Sequence, residues 1–205
     1  EHTYGLEASL GYMVDKTELK ITSYQNYSPN YHLSKVMGAG YEPGADWIEW
    51  GSGSAGWLYI YQMSGLEVYI HGYESEFRYD LNDIISFDGS FSATRGRNLT
   101  DNSSLYYMPP DRILLSTEIK ILPFSINLMH KKVFNQNRIG LYESATSGYE
   151  TYNLIGTYTI RDSWAMHKII LQIDNIFDRK YYNHLSRIKS IMPEKGRNIG
   201  LQLSL

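Results

Sequence analysis

The feature that most constrains this chain is a period-two alternation of apolar and polar side chains, repeated along most of its length. Successive side chains of an extended strand point to opposite faces, so such alternation dictates a sheet with one apolar and one polar side. The final segment shows it most cleanly: Ile199, Leu201, Leu203 and Leu205 alternate with Asn198, Gly200, Gln202 and Ser204. Tyr152, Leu154, Gly156, Tyr158 and Ile160 form one side of an earlier run, and Asn153, Thr157 and Thr159 the other. Further runs start at Tyr4, Ile85, Leu115, Phe124 and His167, and another places Leu66, Val68 and Ile70 opposite Glu67 and His71. The pattern predicts about nine strands, most of roughly 9–12 residues, the length of a tilted strand crossing a bilayer. Strands of soluble proteins more often have about 5–6 residues.

The connections add a second constraint. Tight links are predicted near Val14 to Thr17, at Leu122–Pro123 and at Arg161 to Met166, with a shorter link at Glu74 to Asn82. Long links fall between them: Ser28 to Gly56, Arg95 to Asp111, Asn135 to Gly148 and Phe177 to Lys195. Long and short alternate, as expected when one barrel rim carries periplasmic turns and the other extracellular loops. A soluble sandwich has no reason to sort its loops by parity. The polar alternates, among them Glu67, Asp88, Glu118 and Lys120, are expected to line the lumen.

Composition closes off other classes. The 205 residues include 19 Tyr, 6 Phe, 4 Trp and 17 Gly, with no Cys, so disulfides, thiolate metal sites and cysteine nucleophiles are excluded. Mean hydropathy is -0.38, and no stretch approaches the roughly 18 apolar residues of a transmembrane helix. A net charge of -3 argues against a nucleic-acid partner. No catalytic constellation is visible: neither a Ser-His-Asp arrangement, nor paired carboxylates, nor a Gly-rich phosphate loop. The chain is therefore read as a non-enzyme with no cofactor.

Several motifs then resemble one family in order along the chain. The stretch Leu171 to Leu185, with Asn175-Ile-Phe-Asp178 inside it, resembles the penultimate-strand signature of TonB-dependent receptors, Asn-Leu-Phe-Asp-Lys-x-Tyr. Gly196-Arg-Asn-Ile199 after Pro193 is similar to the Pro-Gly-Arg-Asn that opens their last strand, here with Glu194 and Lys195 inserted. Pro109 to Arg112, Gly65 to Val68 and Glu1 to Tyr12 resemble earlier strand openings, while Leu205 stands where Phe is usual. The resemblance implies the C-terminal portion, residues 1–205, of an antiparallel transmembrane barrel of 22 strands, with the plug domain and earlier strands lying upstream. The odd strand count points the same way, because bacterial single-chain barrels use even numbers. The implied function is outer-membrane uptake of a scarce bulky nutrient, with ferric siderophore ahead of haem, cobalamin or glycan. The implied partners are outer-membrane lipid, the chain's own plug, TonB acting through that plug, and an extracellular ligand such as a metal chelate. Two other readings share parts of the pattern: a passive porin or adhesin barrel, and a soluble lectin-like sandwich.

The candidate ligand contacts are aromatic residues of the long link after the second strand: Tyr31, His32, Tyr41, Trp47 and Trp50. Loops on a rigid scaffold commonly carry binding, although an interfacial aromatic belt is the plainer alternative. Asn175, Phe177, Asp178 and Tyr181 are expected to fold a strand-to-loop corner, and Arg197 to pair with carboxylates at the rim. Glu67 and His71 lie about 13 Å apart on one strand side, too far to chelate one ion, so no metal site is expected. Arg95 and Arg97 read as a solvated loop.

Overall fold

The computed structural model describes residues 2–39, 59–140 and 143–204. Nine strands follow in order: β1 (Tyr4–Val14), β2 (Thr17–Ala39), β3 (Tyr59–Asp80), β4 (Ile85–Asn98), β5 (Arg112–Ile121), β6 (Phe124–Val133), β7 (Tyr149–Arg161), β8 (Met166–Asp174) and β9 (Asn198–Ser204). Each pairs antiparallel with the next, giving one open meander in the order β1 to β9. The fold is all-β, as expected, and the strand number agrees.

The register fixes the tilt. One row of directly opposed residues crosses the whole sheet: Val14, Thr17, Tyr79, Phe87, Thr117, Leu128, Leu154, Ile173 and Ile199. It starts at the first residue of β2 and reaches β8 next to its far end, Asp174. The climb from Met166 to Ile173 is about 23 Å of strand over about 29 Å of sheet width, so the strands lean about 40° from the barrel axis. That is the slant a closed transmembrane barrel requires.

The same row identifies the two sides. Leu6, Leu10, Phe77, Phe91, Leu115, Ile126, Leu171 and Leu201 share its side, here called outward. Glu18, Lys20, Glu76, Asp88, Ser116, Glu118, Lys120, Asn127 and Gln202 lie on the other. The polar side is hollow: an open trough of about 880 Å³ runs from Gly11 of β1 to Asn153 of β7. On this side Arg78 pairs with both Asp80 and Asp88 at 3.2 Å, and Lys120 with Glu118 at 2.9 Å. The outward side is uncovered, with Leu10 at 73% and Leu201 at 69% exposure. Only Val68, Leu105, Val133 and Tyr149 are buried apolar residues among those described. A sandwich would bury one whole side of each sheet; this single layer leaves its apolar side uncovered.

Turn chemistry matches the sorting of the links. Asp15 takes positive φ between β1 and β2. Asn82 Oδ1 accepts the amides of Ile84 and Ile85 at 2.9 and 2.8 Å. Asp162 Oδ1 accepts those of Trp164 and Ala165 at 2.7 and 2.8 Å, which holds its carboxyl below the usual range.

Three boundaries differ from the sequence reading. β3 continues to Asp80, so Glu74 to Asp80 is strand and not a link; its Glu74, Glu76, Arg78 and Asp80 face the trough, where charge is tolerated. β2 likewise runs on to Ala39 past a register shift between Ser28 and Tyr31. β4 runs on to Asn98, so Arg95 and Arg97 are strand residues and not loop.

Candidate functional site

At the rim carrying the long connections, Tyr31 and His32 are strand residues, opposed to Leu66 and Gly65. Tyr31 is half-buried and His32 exposed. The loop expected from Ser28 therefore starts later, because β2 goes on pairing with β3 past the register shift between Ser28 and Tyr31. Tyr41, Trp47 and Trp50 lie outside the described residues. Below this rim the outward side carries a belt of amphipathic rings. Tyr27 donates to Glu67 at 2.7 Å, Tyr69 donates to Gln25 at 2.8 Å, and Tyr69 stacks on His71 at 5.2 Å. His130 stacks on Tyr152 at 4.5 Å, whose ring meets Phe177 edge-on at 5.2 Å. Rings with one apolar and one polar end suit a membrane boundary.

Glu67 corrects an expectation. It shares the side of Tyr69 and His71, so it stands on the outward belt, while Val68 and Ile70 face the lumen. These apolar residues are tolerated inside because the β4–β5 loop folds over them. Leu99 N donates to Glu67 O at 2.7 Å and Leu105 N to Gly96 O at 3.1 Å. Gly96 is opposite Ile70, and a Cβ there would run into Leu105 and Met108. Asp88, Glu118 and Lys120 face the lumen as expected.

The long loops are tied together by a buried ionic cluster that no local sequence signal announces. Glu143, from the β6–β7 loop, lies 3.2 Å from Lys189 Nζ and 3.0 Å from His184 Nε2, both from the β8–β9 loop. It also accepts the backbone N–H of Tyr107, from the β4–β5 loop, at 3.1 Å and that of Gly140 at 3.0 Å. Lys189 carries only donors, so at 3.3 Å it makes His184 Nδ1 an acceptor and places the ring proton on Nε2, towards Glu143. The Nε2 contact lacks hydrogen-bond alignment, so with the ring neutral it is a charge–dipole contact and not an ion pair. Thr146 Oγ1 lies 3.0 Å from Nδ1, and Lys189 sits 5.7 Å from the Tyr107 ring centre. Burial, and then the Lys189 charge, depress the His184 pKa. Three loops therefore meet on one carboxylate.

The corner after β8 forms as expected. Asn175, at positive φ, accepts Arg179 N at 2.9 Å and donates to Arg179 O at 2.8 Å. Asp178 accepts the Arg197 backbone N–H at 2.8 Å. It is the Arg197 amide that meets a carboxylate; its guanidinium is in no ion pair among the described residues. Tyr181 packs on Tyr149 at 4.3 Å, and burial pushes the Tyr181 phenol up. Among the described residues no group of three or more His, Asp or Glu could hold a metal ion.

A single sheet with an apolar outward side, a polar trough and length-sorted links has the architecture of a transmembrane β-barrel wall. In fold it is similar to the barrel wall of TonB-dependent outer-membrane receptors, whose solved structures this chain matches over nearly all its length. No family model matches the sequence. The copper transporter OprC superposes with a TM-score of 0.82 at 21% identity, covering 98% of this chain and 31% of OprC. The FrpB iron transporter from Neisseria meningitidis gives 0.69 at 13% identity, covering 98% of this chain and 30% of FrpB. The ferric citrate transporter FecA gives 0.69 at 15% identity, with 98% and 30% covered. The chain thus spans about a third of the length of the receptors it resembles, and these neighbours are transporters and receptors, not enzymes.

Proposed function

We propose that this chain is the C-terminal barrel portion of a TonB-dependent receptor of the bacterial outer membrane. On this reading it imports a scarce bulky nutrient, with a ferric siderophore first among the candidates. The observation that carries the reading is the nine-stranded wall, shared over 98% of the chain with OprC. Its lumen side is polar and hollow, and its long loops are pinned together at one rim. The upstream strands and the plug complete the barrel; TonB acts through the plug and not through residues 1–205. Tyr31, His32, Tyr41, Trp47 and Trp50 are proposed to grip ligand at the outer mouth, where Tyr31 and His32 sit high on β2 beyond the bilayer belt. Rigid aromatic rings lose little entropy on binding and suit a large chelate.

The test is growth on single ferric chelates as iron source, in strains with and without TonB, carrying the complete gene or its deletion. Growth on at least one chelate that needs both gene and TonB supports import. Uptake that persists without TonB overturns it in favour of a passive pore.

A further inference from the structure

A cationic pocket opens in the seam between β4 and the β4–β5 loop, and no step of the import reading uses it. Its volume is about 300 Å³, at the small end of ligand pockets. His71, Arg95, Arg97, Arg138, Asn102 and Ser104 line it. One carboxylate answers two of the three guanidiniums: Asp111 bonds both Arg95 amines, at 2.5 and 2.7 Å, and meets Arg138 at 3.5 Å. The Arg95 guanidinium beside it holds the Asp111 carboxyl below its usual range, so this acid is spent. Asp101, the other acid of the loop, accepts Ser103 N–H and O–H at 3.0 and 2.5 Å. Among the described residues no ion pair engages Arg97, and His71 Nδ1 is buried without a hydrogen-bond partner. Charge, donors and concavity all ask for an anion with several acceptor oxygens, the arrangement that guanidinium forks recognise in phosphates.

Placement narrows the source. His71, Arg95 and Arg97 share the outward side. Counting from the inner ends of β3 and β4, at about 3.3 Å per residue and a 40° lean, they stand roughly 23–30 Å above the inner rim. The apolar band of such barrels is about 25 Å tall. The pocket therefore lies at the height of the outer headgroups. We infer that it binds a phosphate group, and that at this depth the phosphate is carried by a lipid of the outer leaflet. The headgroup assignment rests on the outer-membrane reading; the phosphate chemistry does not.

The test uses the intact protein in mild-detergent micelles. The probes are a bis-phosphorylated glucosamine glycolipid, the same glycolipid after enzymatic dephosphorylation, and inorganic phosphate. Retained lipid is read by native mass spectrometry. The phosphorylated form is expected to be retained at least about tenfold better, and R97Q/R138Q to lower that preference about tenfold or more. The charge-keeping pair R97K/R138K separates misfolding from lost recognition and should fall between the parent and R97Q/R138Q, because lysine keeps the charge and loses the fork. Competition by millimolar inorganic phosphate would assign the site to the anion alone, and its absence to the headgroup. Equal retention of the two glycolipids, or a folded R97Q/R138Q protein that binds like the parent, overturns the proposal. Chelate uptake is a separate readout: its failure with this preference intact would remove the import reading and leave the pocket.

Discussion

Replacing Glu143 with Ala should loosen three extracellular loops at once. The carboxylate is 4% exposed and is shared by Lys189, His184 and the amides of Tyr107 and Gly140. Removing it leaves the Lys189 ammonium, itself 7% exposed, without its counter-charge. Breaking one partner of a buried pair costs about 3–5 kcal/mol. At 1.4 kcal/mol per factor of ten, exchange at amides protected by the cluster should speed up ~100-fold to ~1000-fold or more. Hydrogen exchange on the intact protein reads this at Tyr107, Gly140, and the Gln136–Thr146 pair, whose amides bond at 2.9 and 3.2 Å. The strands should be unaffected. The paired change E143Q/K189M removes both charges and should recover much of the protection. Unchanged exchange at Tyr107 and Gly140 in E143A would refute the view that this carboxylate pins the loops.

Acidification should loosen the same loops. His184 is held below its ordinary pKa, so the opened loop binds more protons than the closed one, and closure weakens as pH falls below about 6.5; H184N should flatten that pH profile of exchange. At Gly96, a Val would collide with Leu105 and Met108, and overpacking should cost about 1–3 kcal/mol in refolding titrations. Asn175→Ala loses three side-chain bonds at a positive-φ position, because Oδ1 accepts the Arg179 N–H and Nδ2 donates to Arg179 O and Lys195 O; about 1–3 kcal/mol is expected from the same titrations. Leu171→Arg, on the outward side mid-strand, should cost about 2–4 kcal/mol, whereas Gln172→Arg on the lumen side should be nearly neutral.

The strands were legible because lipid and lumen impose opposite demands on alternating residues. Ile199, Leu201 and Leu203 had to share a side, and the register places them on the outward one. Above the bilayer that demand ends, so Ser28 to Ala39 shows no alternation and reads as a loop while the backbone still pairs. The charges from Glu74 to Asp80 suggested a link for a related reason: charge is excluded from the lipid side only. Alternation also gives a period without a sign. Glu67 was assigned to the lumen, but near the rim a carboxylate can stand outward when Tyr27 donates to it. The Glu143 cluster was invisible because Lys189 lies 46 positions away in sequence. The corner at Asn175 and Asp178 was readable, since short polar side chains at positive φ satisfy their own neighbourhood.

The central claim, a one-layer wall with lipid outside and water inside, is tested most directly by a cysteine scan. Residues 1–205 contain no cysteine, so with any cysteine elsewhere in the complete protein replaced by Ser, single Cys substitutions at Ser125, Ile126, Asn127 and Leu128 of β6, and at Ile169, Ile170, Leu171 and Gln172 of β8, report one position each. In intact outer membranes, quenching by lipid-phase nitroxides should be strong at Ile126, Leu128, Ile169 and Leu171. Labelling by a water-soluble maleimide should favour Ser125, Asn127, Ile170 and Gln172. That period of two, in phase across both strands, is the predicted result. Equal aqueous labelling at all eight positions, or quenching with no alternation, would contradict the account.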